Sequence, residues 1–277
     1  MAFEKYNLET KTALITGAAG LLGKEHAAAL LEVGATVILT DISEQRLALA
    51  KKQLLENFSS NSFKTIVMDV SNREEVNNIS KELSKQNIRV DILVNNAAID
   101  PKVVSNKVSR ESSRLENMTV EQWNLEMAVG LTGAFICSQV FGSIMARDLK
   151  GGIILNIASD LSVFSPDQRI YSSEGISDED QSVKPVTYSV IKTGLIGLTR
   201  YLATYWSKEN IRCNALSPGG VLNGQDEVFV EKLINLIPLN RMAAVDEYRS
   251  AVQFLCSEAS AYMNGQNMVI DGGRSVW

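Results

Sequence analysis

The stretch Thr12-Ala13-Leu14-Ile15-Thr16-Gly17-Ala18-Ala19-Gly20-Leu21-Leu22-Gly23 decides the fold. A run of β-branched and aliphatic residues reads as a strand, and glycines then turn the chain. An apolar period of 3.6 follows over residues 21–33 and reads as a helix. The same order recurs outward from this point. Further strand-like runs stand at 36–40, 65–68, 92–94, 153–157, 213–216 and 268–270, with helical periods at 44–57 and 74–86. Capping boxes mark two helix starts, Ser71 with Glu74 and Thr119 with Gln122. Alternation at this spacing predicts an α/β fold: one doubly wound parallel sheet with helices on both faces, spanning 1–277 as a single domain. Polar stretches at 100–117, 165–184 and 222–240 interrupt the rhythm; the first two read as surface loops, and the third follows a strand end and contains a short amphipathic run at 228–237. In an open sheet of this kind, ligands bind outside the carboxyl ends of the strands, where such loops gather.

Composition removes whole classes of function. The chain has 277 residues, 45% hydrophobic and 21% charged, which excludes collagen-like, low-complexity and disordered proteins. A net charge of −5 with no basic tract argues against a nucleic-acid partner. Cys137, Cys213 and Cys256 lie far apart, so neither a disulfide framework nor a zinc site is expected. With His26 as the only histidine, a Ser-His-Asp triad or a multi-histidine metal site would have to be built around it. No metal is expected. The N-terminus shows no targeting segment, and a cytoplasmic protein is expected. Residues 127–146 carry no charge over twenty positions, but their hydroxyls and glycines, bracketed by Glu126 and Arg147, favour a buried or interface helix over a membrane span.

The glycine turn suits phosphate. Glycines let backbone N–H groups approach a pyrophosphate at a helix N-terminus. Asp41, 24 residues after Gly17, ends the second strand, where a carboxylate accepts hydrogen bonds from the ribose hydroxyls of a dinucleotide. The same residue also suits a helix-capping acid beside Ser43. As a ribose ligand it would repel a 2′-phosphate, so NAD is expected as the cofactor; Arg46, one helical turn on, is the one nearby residue that could offset this. Further along, Tyr188 and Lys192 are spaced to share a helix face. A nearby ammonium lowers a phenol pKa from about 10 toward neutrality, as proton transfer requires. Ser159 stands just past the strand at 153–157, on the ligand side of the sheet.

The ordered set of glycine turn, Asp41, Asn95-Asn96-Ala97-Ala98, Ser159, Tyr188-x-x-x-Lys192, Pro218-Gly219 and Asp271-Gly272-Gly273 resembles the short-chain dehydrogenase/reductase family over essentially the whole chain. The resemblance implies a seven-stranded Rossmann sheet in which one domain holds cofactor and substrate. It implies hydride transfer between a nicotinamide and a carbonyl or secondary alcohol. By the same resemblance Tyr188 is the general acid/base, Lys192 binds the nicotinamide ribose and depresses the phenol pKa, and Ser159 orients the substrate. The implied cofactor contacts are Gly17, Gly20, Leu22, Gly23, Asp41, Ile42, Asp69, Val70, Asn96, Ala97, Ala98, Tyr188, Lys192, Pro218, Gly219 and Val221. A homo-oligomer, dimer or tetramer, is implied through the helices at 119–150 and 188–208.

Three features depart from the family pattern. Leu21 takes the place of the middle glycine, a Gly-x-x-Gly-x-x-Gly variant similar to a subgroup that includes flagellin-modification proteins of bacterial nine-carbon (nonulosonic) sugar pathways. Gly130 stands where many members carry a catalytic asparagine, and is expected to leave space for an ordered water. Ser159 and Tyr188 are 29 positions apart, about twice the usual gap, so 165–184 reads as an insertion and 222–240 as a substrate lid. Tyr171, 12 positions after Ser159, lies nearer the usual gap, but Gly175 four residues on supplies no charge. The expected activity is NAD-dependent oxidation or reduction of a polar, sugar-derived alcohol or ketone. An epimerase using bound NAD, or an NAD-binding regulatory or scaffold protein without turnover, are the alternatives.

Overall fold

Strand β1 (Thr12–Thr16) shows how the core is divided. Side chains alternate across a strand, so Ala13 and Ile15 enter the apolar cluster on one face of the sheet and Leu14 the cluster on the other. All three are fully buried, as expected for a parallel strand covered on both sides. The computed structural model describes residues 3–99 and 113–277. Strands β2 (Thr36–Asp41), β3 (Phe63–Val67), β4 (Ile92–Asn95), β5 (Gly152–Ile157), β6 (Ile211–Pro218) and β7 (Asn267–Ile270) complete a seven-stranded sheet in the order β3-β2-β1-β4-β5-β6-β7. Every pairing is parallel. The order reverses between β1 and β4, which opens a crevice at their carboxyl ends.

The helices are α1 (Leu21–Glu32), α2 (Glu44–Leu54), α3 (Arg73–Lys85), α4 (Val120–Met127), α5 (Gly133–Asp148), α6 (Val186–Tyr205), α7 (Glu227–Ile234) and α8 (Arg249–Leu255). Helices α1, α2 and α8 supply the first apolar cluster and α3, α5 and α6 the second. A π-helical turn, Ala128–Thr132, joins α4 to α5. The resulting span Val120–Asp148 is long and apolar enough to cross a membrane, but Cys137, Phe141 and Met145 are buried against the sheet.

Caps fix where two of these helices start. Thr119 Oγ1 accepts from Gln122 N at 3.1 Å, as the sequence predicts. Helix α3 differs: Asn72, not Ser71, is its cap, because its amide oxygen reaches both Glu74 N and Glu75 N at 3.1 and 3.3 Å. Ser71 Oγ instead donates to Asp69 Oδ1 at 2.7 Å. The polar stretch 100–117 lies largely outside the described residues.

Candidate active site

The glycine turn after β1 is closed by β4. Gly17 has φ +60°, and a Cβ on it would lie 2.7 Å from Ala97 Cα, so only glycine fits. Asn96 Nδ2 donates to Thr16 O and Gly17 O at 3.1 and 3.0 Å, while Thr16 Oγ1 accepts from Asn96 N and Ala97 N. Gly23 packs on Gly17 O, and Gly20 occupies the N-cap of α1 without any side-chain cap. The first-turn amides of α1 therefore have no side chain in front of them, a cradle suited to a pyrophosphate. Leu22 packs onto the core below.

The rest of the rim follows the carboxyl ends of the strands. Asp41 is 5% exposed at the end of β2, and Ile42 beside it is exposed. Asp41 makes the local contact that the sequence offered, beside Ser43 at the start of α2. Its Oδ1 accepts from Ser43 N at 3.1 Å, steadying the start of α2, and from Arg46 Nη2 at 2.7 Å. Asp69 and Val70 follow β3, with Val70 buried against Gly133. Asn96, Ala97 and the exposed Ala98 follow β4. Pro218 ends β6, and Gly219 and Val221 follow it. Gly219 donates to Ile270 O at 2.8 Å and would clash with Asp271 if it carried a Cβ, and Val221 bridges to Ala243. The geometry of this rim fits a dinucleotide: a glycine cradle that a side chain would fill, then a buried carboxyl at the end of β2.

Ser159 leaves the end of β5, and Tyr188 stands in the first turn of α6. Lys192, one turn further and 6% exposed, spans the gap: its Nζ donates to Ile157 O at 2.8 Å and lies 5.7 Å from the Tyr188 ring centroid. The backbone carbonyl fixes the ammonium near the Tyr188 ring and ties α6 to the end of β5, two residues before Ser159. Below them Asn156 Nδ2 donates to Thr199 Oγ1, and Asn95 Nδ2 donates to Asn156 Oδ1 and Ser138 Oγ, all within 2.8–2.9 Å. This buried ladder locks β4, β5, α5 and α6 in one register.

Sequence reasoning missed two further residues. Ser159 Oγ donates to Asp160 Oδ1 at 2.8 Å, and Arg274 from the C-terminal turn meets Asp160 Oδ2 at 3.2 Å. Burial pushes the Asp160 carboxyl pKa up, while the Ser159 hydrogen bond and the Arg274 charge pull against that rise. A charged residue directly after an apolar strand was the signal for Asp160; nothing local pointed to Arg274.

Tyr171 packs against α7. It ends the turn Gln168–Tyr171, its ring packs 5.5 Å from Phe229 of α7, and Gly175 supplies no charge. The segment 165–184 is held to α7, where Lys232 Nζ donates to Ser172 O at 2.7 Å. Gly130 overturns an expectation. A Cβ there would lie 2.8 Å from Ile191 Cγ2, so the space expected to admit a water is filled by a buried side chain. His26 is wholly buried in α1, and neither ring nitrogen meets a partner among the described residues. Desolvation, helped by the charge of Lys192, lowers its pKa to about 3. It is a neutral core residue.

Comparisons with known proteins agree with this geometry. Residues 17–275 match the family model described as enoyl-(acyl carrier protein) reductase. The NAD-dependent glycerol dehydrogenase of Listeria innocua is 29% identical over 99% of this chain and 98% of its own length. A short-chain dehydrogenase from Leptospira borgpetersenii, solved with bound NAD+, is 34% identical with a TM-score of 0.82, covering 98% of this chain and 94% of that one. A gluconate 5-dehydrogenase from Burkholderia cenocepacia, solved with NADP and tartrate, is 27% identical with a TM-score of 0.84 over the whole of both chains. The chain belongs to the short-chain dehydrogenase/reductase family of NAD(P)-dependent oxidoreductases.

Proposed function

We infer that this enzyme uses NAD to interconvert a polar, sugar-derived secondary alcohol and its ketone, with Tyr188 as the proton-transferring group. The observation that carries the reading is the anchoring of Lys192 on Ile157 O at the end of β5, which fixes one ammonium 5.7 Å from the centre of the Tyr188 ring. Held along the rim by the glycine turn and Asp41, NAD would supply the hydride-transfer chemistry between alcohol and ketone. In the oxidative direction the phenolate of Tyr188 takes the hydroxyl proton, and in the reductive direction the phenol gives it back. Ser159 orients the substrate oxygen, its own hydroxyl held by Asp160. Lys192 stabilises the phenolate and would hold the nicotinamide ribose.

Asp41 supports NAD, because a 2′-phosphate would meet its buried carboxyl; Arg46 is already engaged on that carboxyl. The polar lid entry, Leu222-Asn223-Gly224-Gln225-Asp226-Glu227, supports a hydrophilic substrate. Glycerol and gluconate, named for two of the relatives, are of that kind. We place cofactor and substrate within one domain and expect a homo-oligomer through the exposed apolar residues of α4, α5 and α6. Three buried, reduced cysteines support a cytoplasmic setting. The test is a panel of polyols, sugar acids and nonulosonates, read by absorbance change with NAD and NADP. Turnover of a polar member with NAD supports the reading. Turnover confined to acyl thioesters, or to NADP, overturns it.

A further inference from the structure

We propose that Lys184 is a second cation of the acid/base centre, and that the insertion 165–184 exists to hold it on the ring of Tyr188. The inference rests on the reading of Tyr188 given above. Lys184 Nζ lies 3.8 Å from the Tyr188 ring centroid, closer than Lys192 Nζ at 5.7 Å. The phenol thus has an ammonium four residues before it and another four residues after it. Only the second rides on the helix. Helix α6 begins at Val186 behind Pro185, so Lys184 needs separate support.

The insertion supplies that support. Gln168 grips the Lys184 backbone from both sides: its Oε1 accepts from Lys184 N at 2.8 Å and its Nε2 donates to Lys184 O at 3.3 Å. The next residue back, Val183, donates its N–H to Ser113 Oγ at 3.1 Å. Gln181 closes the loop on itself, accepting from Ser173 N and donating to Ser173 O and Ile176 O. Through Lys232 the whole segment is tied to α7.

Among the described residues, several charged groups stand on the elements packed against the helix of Tyr188. From the insertion comes Lys184, from its own helix Lys192, and from α4 the buried Glu126, which accepts from the neighbouring Thr187. Beyond Ser159 stand Asp160 and Arg274. A positive charge over the ring favours phenolate over phenol, because the ring becomes more negative on ionisation. An opposite charge within several ångströms lowers an acid's pKa by about 1–3 units. Both side chains are half-buried, which places the Lys184 effect near the lower end. The N-terminus of α6 acts in the same sense. Lys184 is therefore a tuning residue; the proton itself moves on Tyr188.

Phenolate absorbance, titrated against pH and corrected with Tyr188→Phe, reads the Tyr188 pKa without any substrate. Lys184→Gln is expected to raise that pKa by about one unit and to shift the alkaline rise of kcat by the same amount. Lys184→Arg should restore it, with NADH binding unchanged in both. Gln168→Ala keeps the lysine but removes its clamp, and should raise the pKa in the same direction; it carries the test if Lys184→Gln does not fold. A wild-type Tyr188 titration in Lys184→Gln, or in Gln168→Ala, overturns the proposal. If Tyr188→Phe itself keeps full turnover, the reading of Tyr188 fails instead.

Discussion

The side chain of Ile191 occupies the space that a Cβ on Gly130 would need, with Cγ2 2.8 Å from that position. Ile191 is the residue before Lys192, so Gly130 sets how closely the π-helical turn approaches the helix carrying the acid/base pair. Asparagine there would gain helix propensity, about 1 kcal/mol over glycine at most. It would also force a buried β-branched side chain to move, and overpacking costs about 1–3 kcal/mol. Gly130→Asn should therefore lower stability in urea unfolding, and Ile191→Ala should relieve part of that loss in the double variant.

Cofactor choice turns on Asp41 and Arg46, 2.7 Å apart. A hydrogen bond to a charged group contributes about 1.5–3 kcal/mol, or roughly tenfold to a hundredfold in affinity. NADH should bind more tightly than NADPH by about that factor in a fluorescence titration. Asp41→Ala should narrow the gap by weakening NADH. Arg46→Ala should widen it, since it removes a cation beside Asp41 that a 2′-phosphate could recruit.

Acid should destabilise the fold through His26. Its folded pKa, about 3, lies below the ordinary value of 6.5, so the unfolded chain binds the extra proton first and stability falls as pH drops below 6.5. At pH 5 the loss from this group is about 2 kcal/mol. Urea unfolding at pH 7.5 and pH 5 should show His26→Leu losing less stability than the wild type by about that amount. Equal losses would mean that the imidazole finds a proton acceptor in the fold.

Leu125, Phe135, Val190, Tyr201 and Tyr205 are exposed apolar side chains on α4, α5 and α6, and the rings of Tyr201 and Tyr205 stack at 5.5 Å. An apolar surface of this kind is expected to be covered by a second copy. Light scattering should give a dimer or tetramer, and Tyr201→Glu with Tyr205→Glu should shift it toward the subunit. A wild-type protein that stays at 30.4 kDa would contradict this.

Most of the sheet was legible because each strand is short, apolar and followed by turn chemistry, as at Thr16-Gly17. Tyr188 and Lys192 were legible because one helical turn joins them. What stayed hidden is contact across long sequence separations. Arg274 reaches Asp160 from the C-terminal turn, and Gln168 grips Lys184 through a loop with no regular period. Gly130 misled for the same reason: one position gives the missing side chain, but only packing shows that Ile191 fills its place.

Tyr188→Phe, beside Tyr171→Phe, tests the central claim most directly. With a polyol or sugar acid that the wild type turns over, Tyr188→Phe should lose about 10²–10⁴-fold in kcat, the contribution of a positioned acid/base, while still binding NADH. Tyr171→Phe, whose ring packs on Phe229, should keep most activity. Near wild-type turnover by Tyr188→Phe, or a loss that falls on Tyr171→Phe instead, would contradict the assignment.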